Sequence, residues 1–180
     1  MLKRAHSPRG FTLIEMLIGI AIVALLFKMA APSYRTWMQN MQIRNATHSI
    51  VDGLNVARGQ AIARNVQVQL QLTSLSNGTG AAWTASEVLA GTVVEQWSAT
   101  EGASGVQISP AGGGTVTFSP LGRVISPNPI DNSASLLQVD VTSKNDAGDP
   151  ALRNLRVVVG NGGLARMCDP GLAQPDPRAC

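Results

Sequence analysis

The sequence has few charged, aromatic, cysteine and histidine residues. Of its 180 residues, 14% are charged and 4% are aromatic, and there are two cysteines and two histidines. Two cysteines are too few for a small disulfide-dense protein, and a hydrophobic content of 44% excludes a disordered chain. Because only one stretch is apolar enough to cross a bilayer, a membrane protein with several spans is also excluded. The length fits one domain with an appended segment.

The sequence also lacks the motifs that commonly mark enzymes. It has no Gly-x-Ser-x-Gly nucleophile elbow, no cluster of zinc ligands and no phosphate-binding loop. Gly112-Gly113-Gly114 lies between strand candidates and predicts a turn, and His48 is expected to be a partly exposed helix residue. We therefore predict a protein that is not an enzyme and has no cofactor or metal site.

The excess positive charge lies at the N-terminus. The formal net charge is +3, and residues 1–10 contain Lys3, Arg4 and Arg9 and no acidic residue. In the rest of the chain, residues 11–64 carry a formal charge of +3 and residues 65–180 one of −3. A C-terminal part with net negative charge is a poor general binder of phosphates, so the positive net charge does not indicate a nucleic-acid-binding protein.

A 21-residue apolar run extends from Phe11 to Ala31, interrupted only by Thr12, Glu15 and Lys28. As a helix it would be about 31 Å long, close to the thickness of the hydrocarbon core. The basic residues before it predict a cytoplasmic N-terminus, with the rest of the chain across the membrane. A secretory signal cut near Ala31 and a plain membrane anchor are two interpretations. An acid inside the apolar segment is costly in both, so neither explains Glu15.

A third interpretation follows from the residues at the start of the run. Gly10-Phe11-Thr12-Leu13-Ile14-Glu15 resembles the prepilin motif of type IV pilins and type II secretion pseudopilins. The resemblance implies that a prepilin peptidase cleaves after Gly10 and that Phe11 is then N-methylated. It also implies that the Phe11 ammonium of one subunit pairs with Glu15 of a neighbour and sets the axial register of a fibre. The alternative for Glu15 is a side chain that reaches towards the membrane interface.

Beyond Pro32 the apolar residues keep a helical spacing and define one face. We predict a single helix over residues 11–64 that stops at Asn65. Gly53 and Gly59 each weaken it by up to about 1 kcal/mol, so tertiary packing must hold this half. The predicted face consists of Trp37, Met41, Ile50, Leu54, Ala57 and Ala61.

From Val66 the hydrophobic period changes to two, and residues 66–72 predict a half-buried strand. No second helix is indicated, so we expect an α+β fold in which the helix packs on an antiparallel sheet, or on two stacked sheets. Loops are predicted at 73–91 and 127–134, and Gly160-Asn161-Gly162-Gly163 predicts a hairpin turn. Further strand candidates are 92–98, 105–109, 114–119, 122–126, 135–143, 153–159 and 164–168.

Three later segments resemble the GspH/FimT branch of minor pilins and imply the type IV pilin fold. They are Ala57 to Asn65, Thr117-Phe118-Ser119-Pro120-Leu121-Gly122-Arg123, and Gly163 to Pro170. Gly59 and Gln60 depart from the first pattern. Leu164 stands where FimT-like members carry the first arginine of a Gly-Arg-x-Arg motif. A C-terminal tail with two cysteines is most similar to FimU-type minor pilins.

Cys168 and Cys180 are the only cysteines. The predicted topology places both in an oxidising compartment, where such a pair normally forms a disulfide. The bridge is expected to hold the C-terminal segment on the edge of the sheet. A redox-active or metal-binding thiol pair is the alternative, but no CxxC motif or nearby histidine supports it.

Arg153, Arg156 and Arg166 are candidates for a contact with DNA or a partner, because the strands that carry them are adjacent in the sequence. They could form a local basic patch if strands 153–159 and 164–168 pair. The alternative is that they are solvated charges along a strand edge.

The resemblance implies a FimU-like minor pilin that helps to initiate type IV pilus assembly and sits at or near the pilus tip. Its partners would be other minor and major pilins, the prepilin peptidase and methylase, the inner membrane and the assembly platform. The alternatives are a GspH-type pseudopilin of a type II secretion system and a FimT-like DNA-uptake pilin; DNA binding is the less favoured. The expected segments are a cleaved leader 1–10, a membrane or fibre-core helix 11–31, an amphipathic helix 32–64 and a periplasmic β head 65–180.

Overall fold

The computed structural model describes residues 11–73, 81–98, 100–144 and 148–180. They form one helix, α1, and nine strands, β1 to β9. The chain divides into two compact units, one up to Thr36 and one from Trp37 to Cys180. The elements are α1 (Leu13–Arg64), β1 (Val68–Leu72), β2 (Trp83–Glu87), β3 (Val93–Trp97), β4 (Val106–Ala111), β5 (Thr115–Phe118), β6 (Val124–Ile125), β7 (Gln138–Ser143), β8 (Leu155–Val159) and β9 (Ala165–Cys168).

The first unit is helical from Leu13, two residues later than predicted, because Thr12 caps the helix. Its apolar side chains are exposed: Leu13 is 78% exposed and Phe27 is 71% exposed. Among the described residues, α1 is one helix long and apolar enough to cross a membrane, with a mean hydropathy of 2.3 in its most apolar window. Gly10, the predicted cleavage residue, and the rest of the predicted leader lie outside the described residues.

The second unit begins with the C-terminal part of α1, which stops where the sequence predicts. Asn65 has a positive φ of 54°. Its N–H donates to the carbonyl of Ile62 and the N–H of Val66 to that of Ala61, at 3.3 and 3.2 Å. This pair of bonds is a Schellman motif, which satisfies carbonyls that the helix end would otherwise leave free.

The buried face of α1 differs from the predicted one at its beginning. Ile50, Leu54, Ala57 and Ala61 are fully buried as predicted, but Trp37 is 55% exposed. Met41 is 37% exposed, so it too lies outside the core. The sheets cover the helix only from about residue 43, where Ile43, Ala46 and Thr47 are fully buried.

The strands form two antiparallel sheets, in the orders β3-β2-β1-β5-β6 and β4-β7-β8-β9. Alternate residues face the core: Val68, Leu70 and Leu72 of β1 are buried, while Gln71 is exposed. Their partners across the ladder, including Phe118 opposite Val68, bury the same face. Both sheets and α1 contribute to one hydrophobic core. The α+β arrangement predicted from the sequence, a helix packed on antiparallel sheets, is therefore confirmed, with two sheets.

The largest error in the sequence prediction concerns residues 73–91, which were expected to form a loop. Residues 83–87 form β2, an inner strand of the first sheet that pairs with β1 and β3. Only Trp83 and Ala85 of this strand face the core, and the other residues are Thr84, Ser86 and Glu87. Trp83 and Thr84 favour a strand whereas alanine and glutamate do not, so the propensities of the segment leave its structure open, and its pairing with β1 decides it.

The two sheets meet at the C-terminal end of α1, through the turns after β5 and β8. Arg58 Nε donates to the carbonyl of Gly122 at 2.9 Å, and Val124 N–H donates to the carbonyl of Asn161 at 3.2 Å. Gly163 adopts a positive φ, and a Cβ there would collide with the Gly122 carbonyl oxygen. Gly160 to Gly163 forms the predicted hairpin turn between β8 and β9.

Candidate functional site

The first candidate site is Glu15, at the start of α1. The Glu15 carboxylate accepts hydrogen bonds from the N–H and the hydroxyl of Thr12, at 2.8 and 2.9 Å. The Glu15 N–H in turn donates to Thr12 Oγ1 at 3.3 Å. This reciprocal pattern is a capping box, with Thr12 as N-cap and Glu15 as the third helical residue.

The capping box uses only one of the two carboxylate oxygens. Both bonds from Thr12 reach Oε2. Among the described residues, Oε1 accepts no hydrogen bond. Phe11, the predicted new N-terminus, is 86% exposed. The carboxylate can therefore cap its own helix with Oε2 and still offer Oε1 and its charge to a cation from outside the subunit.

The second feature is the disulfide between Cys168 and Cys180, which links the end of β9 to the C-terminal segment. The N–H of Asp169 donates to the carbonyl of Arg178 at 2.7 Å, and Asp169 and Ala179 form a parallel bridge. Asp176 and Arg178 form an ion pair at 2.9 Å. The segment 169–180 is therefore folded back along the end of β9, as expected from the sequence.

Replacing both Cys168 and Cys180 by serine should lower the stability of the head by about 3 kcal/mol, because the bridge restricts the unfolded chain. The loss should be measured by denaturant unfolding under non-reducing conditions. Adding a reductant to the natural protein should give the same stability as the double variant. An unchanged unfolding midpoint would contradict the structural role.

Stability should also depend on pH through Asp176. Hydrogen bonds from the side chain and N–H of Arg178 lower the pKa of Asp176 to about 2. A carboxyl with a lowered pKa stabilises the folded segment above its unfolded pKa near 4, and this contribution is lost as pH falls through about 2. We expect the protection of the Arg178 N–H against exchange, relative to its intrinsic rate at each pH, to fall between about pH 4 and 2, while Asp176→Asn shows no such change over this range. A constant protection factor in the natural protein would contradict this.

The structure places two of the three arginines of the suggested patch on one face of the sheet and the third elsewhere. β8 and β9 do pair, with Arg156 opposite Cys168 and Val158 opposite Arg166, so Arg156 and Arg166 share one face. Arg156 is neutralised there by Asp140, through two hydrogen bonds of 2.5 and 3.1 Å that raise the pKa of Arg156. Arg153 precedes β8 and lines a pocket beside α1 instead.

That pocket brings together residues that sequence reasoning did not connect. It has a volume of about 280 Å³ and is lined by Arg44 and His48 from α1, by Arg153, and by Arg178 from the C-terminal segment. The one feature of the sequence that indicates this pocket is the spacing of Arg44 and His48, which places them on the same face of a helix. His48 is exposed on the helix, as predicted. Among the described residues there is no group of three or more histidine, cysteine or acidic side chains that could hold a metal.

Comparison with models of known protein families shows which family the chain belongs to. Residues 46–163, well over half of the chain, match the family model of the type II transport protein GspH. The chain belongs to the GspH/FimT/FimU family of type IV pilin-like minor pilins. In this minor pilin, residues 6–27 also match the prokaryotic N-terminal methylation motif, the region that contains Gly10, Phe11 and Glu15.

The curated relatives of this minor pilin are fimbrial proteins. It is 30% identical over 99 residues to a fimbrial protein of Pseudomonas aeruginosa, a match that covers 55% of this chain and 64% of the relative. The chain therefore spans less than two thirds of that relative's length. A fimbrial protein of Moraxella nonliquefaciens is 36% identical over 52 residues, 29% of this chain and 33% of the relative.

A solved structure shows the same fold. The type IV minor pilin FimU of Pseudomonas aeruginosa matches the minor pilin with a TM-score of 0.50 and 12% identity, covering 69% of this chain and 87% of FimU. The minor pseudopilin EpsH of Vibrio cholerae matches with a TM-score of 0.48 and 14% identity, covering 73% and 99%. The likeness to FimU agrees with the pilin-like arrangement of helix and sheets.

Proposed function

We propose that this chain is a fibre subunit that assembles through its N-terminal helix, after a prepilin peptidase removes residues 1–10 and Phe11 is methylated. The observation that carries the proposal is the apolar surface of residues 13–29, which is exposed along its length. Soluble monomers rarely expose so large an apolar surface. It is stabilised in a bilayer or among like helices in a fibre, and neither role requires an enzyme activity.

Residues 11–31 are then the membrane or fibre-core segment, 32–64 the amphipathic part of the helix and 65–180 the head. The basic leader keeps the N-terminus in the cytoplasm, so the head lies in the periplasm while the protein is in the inner membrane. In the fibre, Glu15 pairs with the Phe11 ammonium of a neighbouring subunit. The free Oε1 of Glu15 supports this pairing, because it is available without loss of the helix cap.

Within this role, the chain is a FimU-like minor pilin that helps to initiate type IV pilus assembly at or near the tip. Its partners are other minor and major pilins, the prepilin peptidase and the assembly platform. The fimbrial relative at 30% identity supports a pilus as the fibre. The second candidate is a pseudopilin of a type II secretion system, which the match to the GspH family model favours.

Deleting the gene in its native bacterium separates the two candidates. A pilus-initiating subunit predicts few or no surface pili and unchanged secretion of folded enzymes, restored by the natural gene. Loss of secretion with normal piliation would instead identify a pseudopilin. Immunogold labelling of sheared pili should place the head at one end, and label along the whole fibre would contradict a tip position.

A further inference from the structure

The pocket beside α1 has the features of a binding site for a carboxylate. We call it the arginine groove, defined by Arg44, His48, Arg153 and Arg178. Its walls come from α1, from the residues before β8 and from the disulfide-linked C-terminal segment. All four basic side chains are exposed at its rim, where an incoming group can reach them.

Two of the arginines are not neutralised within the subunit. Arg178 is paired with Asp176 at 2.9 Å. Asp169, the one acid among the described residues that line the groove, accepts a hydrogen bond from the N–H of Gly171 at 2.9 Å. Among the described residues, neither Arg44 nor Arg153 forms an ion pair. Guanidinium groups bind planar anions through two parallel hydrogen bonds, so two free arginines in one groove favour an anionic ligand.

The groove is held in place by contacts that do not use the arginine side chains. Asn40, one turn before Arg44, accepts a hydrogen bond from the N–H of Arg153 at 2.8 Å and donates one to the carbonyl of Ala151 at 3.2 Å. On the other wall, the disulfide fixes the segment that carries Arg178. Such preorganisation reduces the entropy that binding must overcome.

We propose that the arginine groove binds an aspartate or glutamate side chain of an adjoining subunit of the pilin family. This inference depends on the proposed function, because an adjoining subunit is present only if the chain assembles with other pilins. The groove is lined by Leu155 and by Met167, which is 38% exposed. These apolar residues suit the methylene groups beside a carboxylate.

The surrounding charges favour a polypeptide ligand over a nucleic acid. A phosphate backbone is usually bound by several cations spaced along a track. Here Arg156 is neutralised by Asp140 and lies, with Arg166, on the opposite face of the sheet from Leu155 and Met167. Residues 65–180 carry a formal charge of −3, which disfavours the approach of a polyanion to the head as a whole.

Carbodiimide cross-linking of whole cells tests the proposal, because this reagent joins an amine to a contacting carboxylate. Arg44→Lys and Arg153→Lys place an amine in the groove of the full-length protein. Each should form an amide with an aspartate or glutamate of a second pilin-family subunit, identified by mass spectrometry. The yield should be at least about tenfold higher than for Arg123→Lys, an exposed position on the turn after β5.

Other outcomes overturn the proposal. Cross-links only to Asp169 or Asp176 of the same chain, or a yield equal to that of Arg123→Lys, would show that no carboxylate enters from outside. Purified full-length protein in detergent should not shift duplex DNA. A salt-dependent shift that Arg44→Gln and Arg153→Gln abolish would make the groove a nucleic-acid site.

The same cells distinguish this inference from the proposed function. Sheared surface fibres are tested for the natural chain by immunoblot. If the chain is absent from pili, the pilus role is rejected. The groove proposal is still tested in that case, because the cross-link can form between subunits in the inner membrane of whole cells. Presence in pili without the cross-link rejects only the groove.

Discussion

Replacing Glu15 by alanine should lower the amount of the protein in assembled fibres by about a hundredfold or more. Removing one partner of a buried ion pair costs about 3–5 kcal/mol, because the other charge is left unpaired in an apolar surrounding. Incorporation should be measured by immunoblot of sheared fibres against the membrane fraction. Cleavage after Gly10 should be checked by mass spectrometry of the membrane protein, so that a failure of processing is not scored as a failure of assembly.

The capping box in the structure makes a sharper control necessary. Glu15→Ala removes both the negative charge and the hydrogen bonds to Thr12. Glu15→Gln keeps an oxygen that can accept from Thr12 but has no charge, since glutamine also serves in capping boxes. Thr12→Ala removes the cap and keeps the charge, at a cost of about 0.5–2 kcal/mol in helix stability.

If the pairing role is correct, Glu15→Gln fails to assemble almost as completely as Glu15→Ala, and Thr12→Ala assembles at close to the natural level. If Glu15 serves only to start the helix, the order is reversed: Glu15→Gln assembles and Thr12→Ala does not. A Glu15→Ala protein that assembles normally would contradict both roles.

Local signals in the sequence were enough to predict the C-terminal end of α1 and most strands. Asn65 stops the helix because asparagine tolerates the positive φ of a Schellman motif. The alternation from Val66 onwards predicts β1, and the glycine-rich segment after β8 predicts the turn to β9. The disulfide could also be anticipated, since only one pair of cysteines exists.

The features that sequence reasoning missed depend on tertiary contacts. β2 is identified by its partners β1 and β3 rather than by its own residues. Met41 has the right spacing for the apolar face, but the sheets do not cover that turn of the helix. The arginine groove joins Arg44 to Arg153, which are more than a hundred residues apart, through the hydrogen bonds of Asn40. No local pattern reports such a pairing.

A large loss of stability is expected from substitution of Trp83, the main core residue of β2. Trp83 is 3% exposed, and its indole N–H donates to Ser49 Oγ on α1 at 2.9 Å. Trp83→Ala should lower the free energy of unfolding by about 3–5 kcal/mol, because it leaves a cavity between β2 and the helix. Trp83→Phe keeps most of the ring and loses the hydrogen bond, so a smaller loss is expected. Unfolding should be followed in detergent by far-ultraviolet circular dichroism of the backbone, because the substitutions change tryptophan fluorescence.

Two glycines of α1 provide a matched control for this packing. A Cβ at Gly53 would lie 2.6 to 2.8 Å from atoms of the Trp83 ring, whereas a Cβ at Gly59 would have nothing within 4 Å. Alanine raises helix propensity by up to about 1 kcal/mol at either position. At Gly59 this gain should appear as added stability. At Gly53 overpacking of about 1–3 kcal/mol should exceed the gain, so Gly53→Ala destabilises the protein. Equal effects of the two substitutions would show that the indole does not rest on Gly53, and that β2 is not held against the helix by this contact.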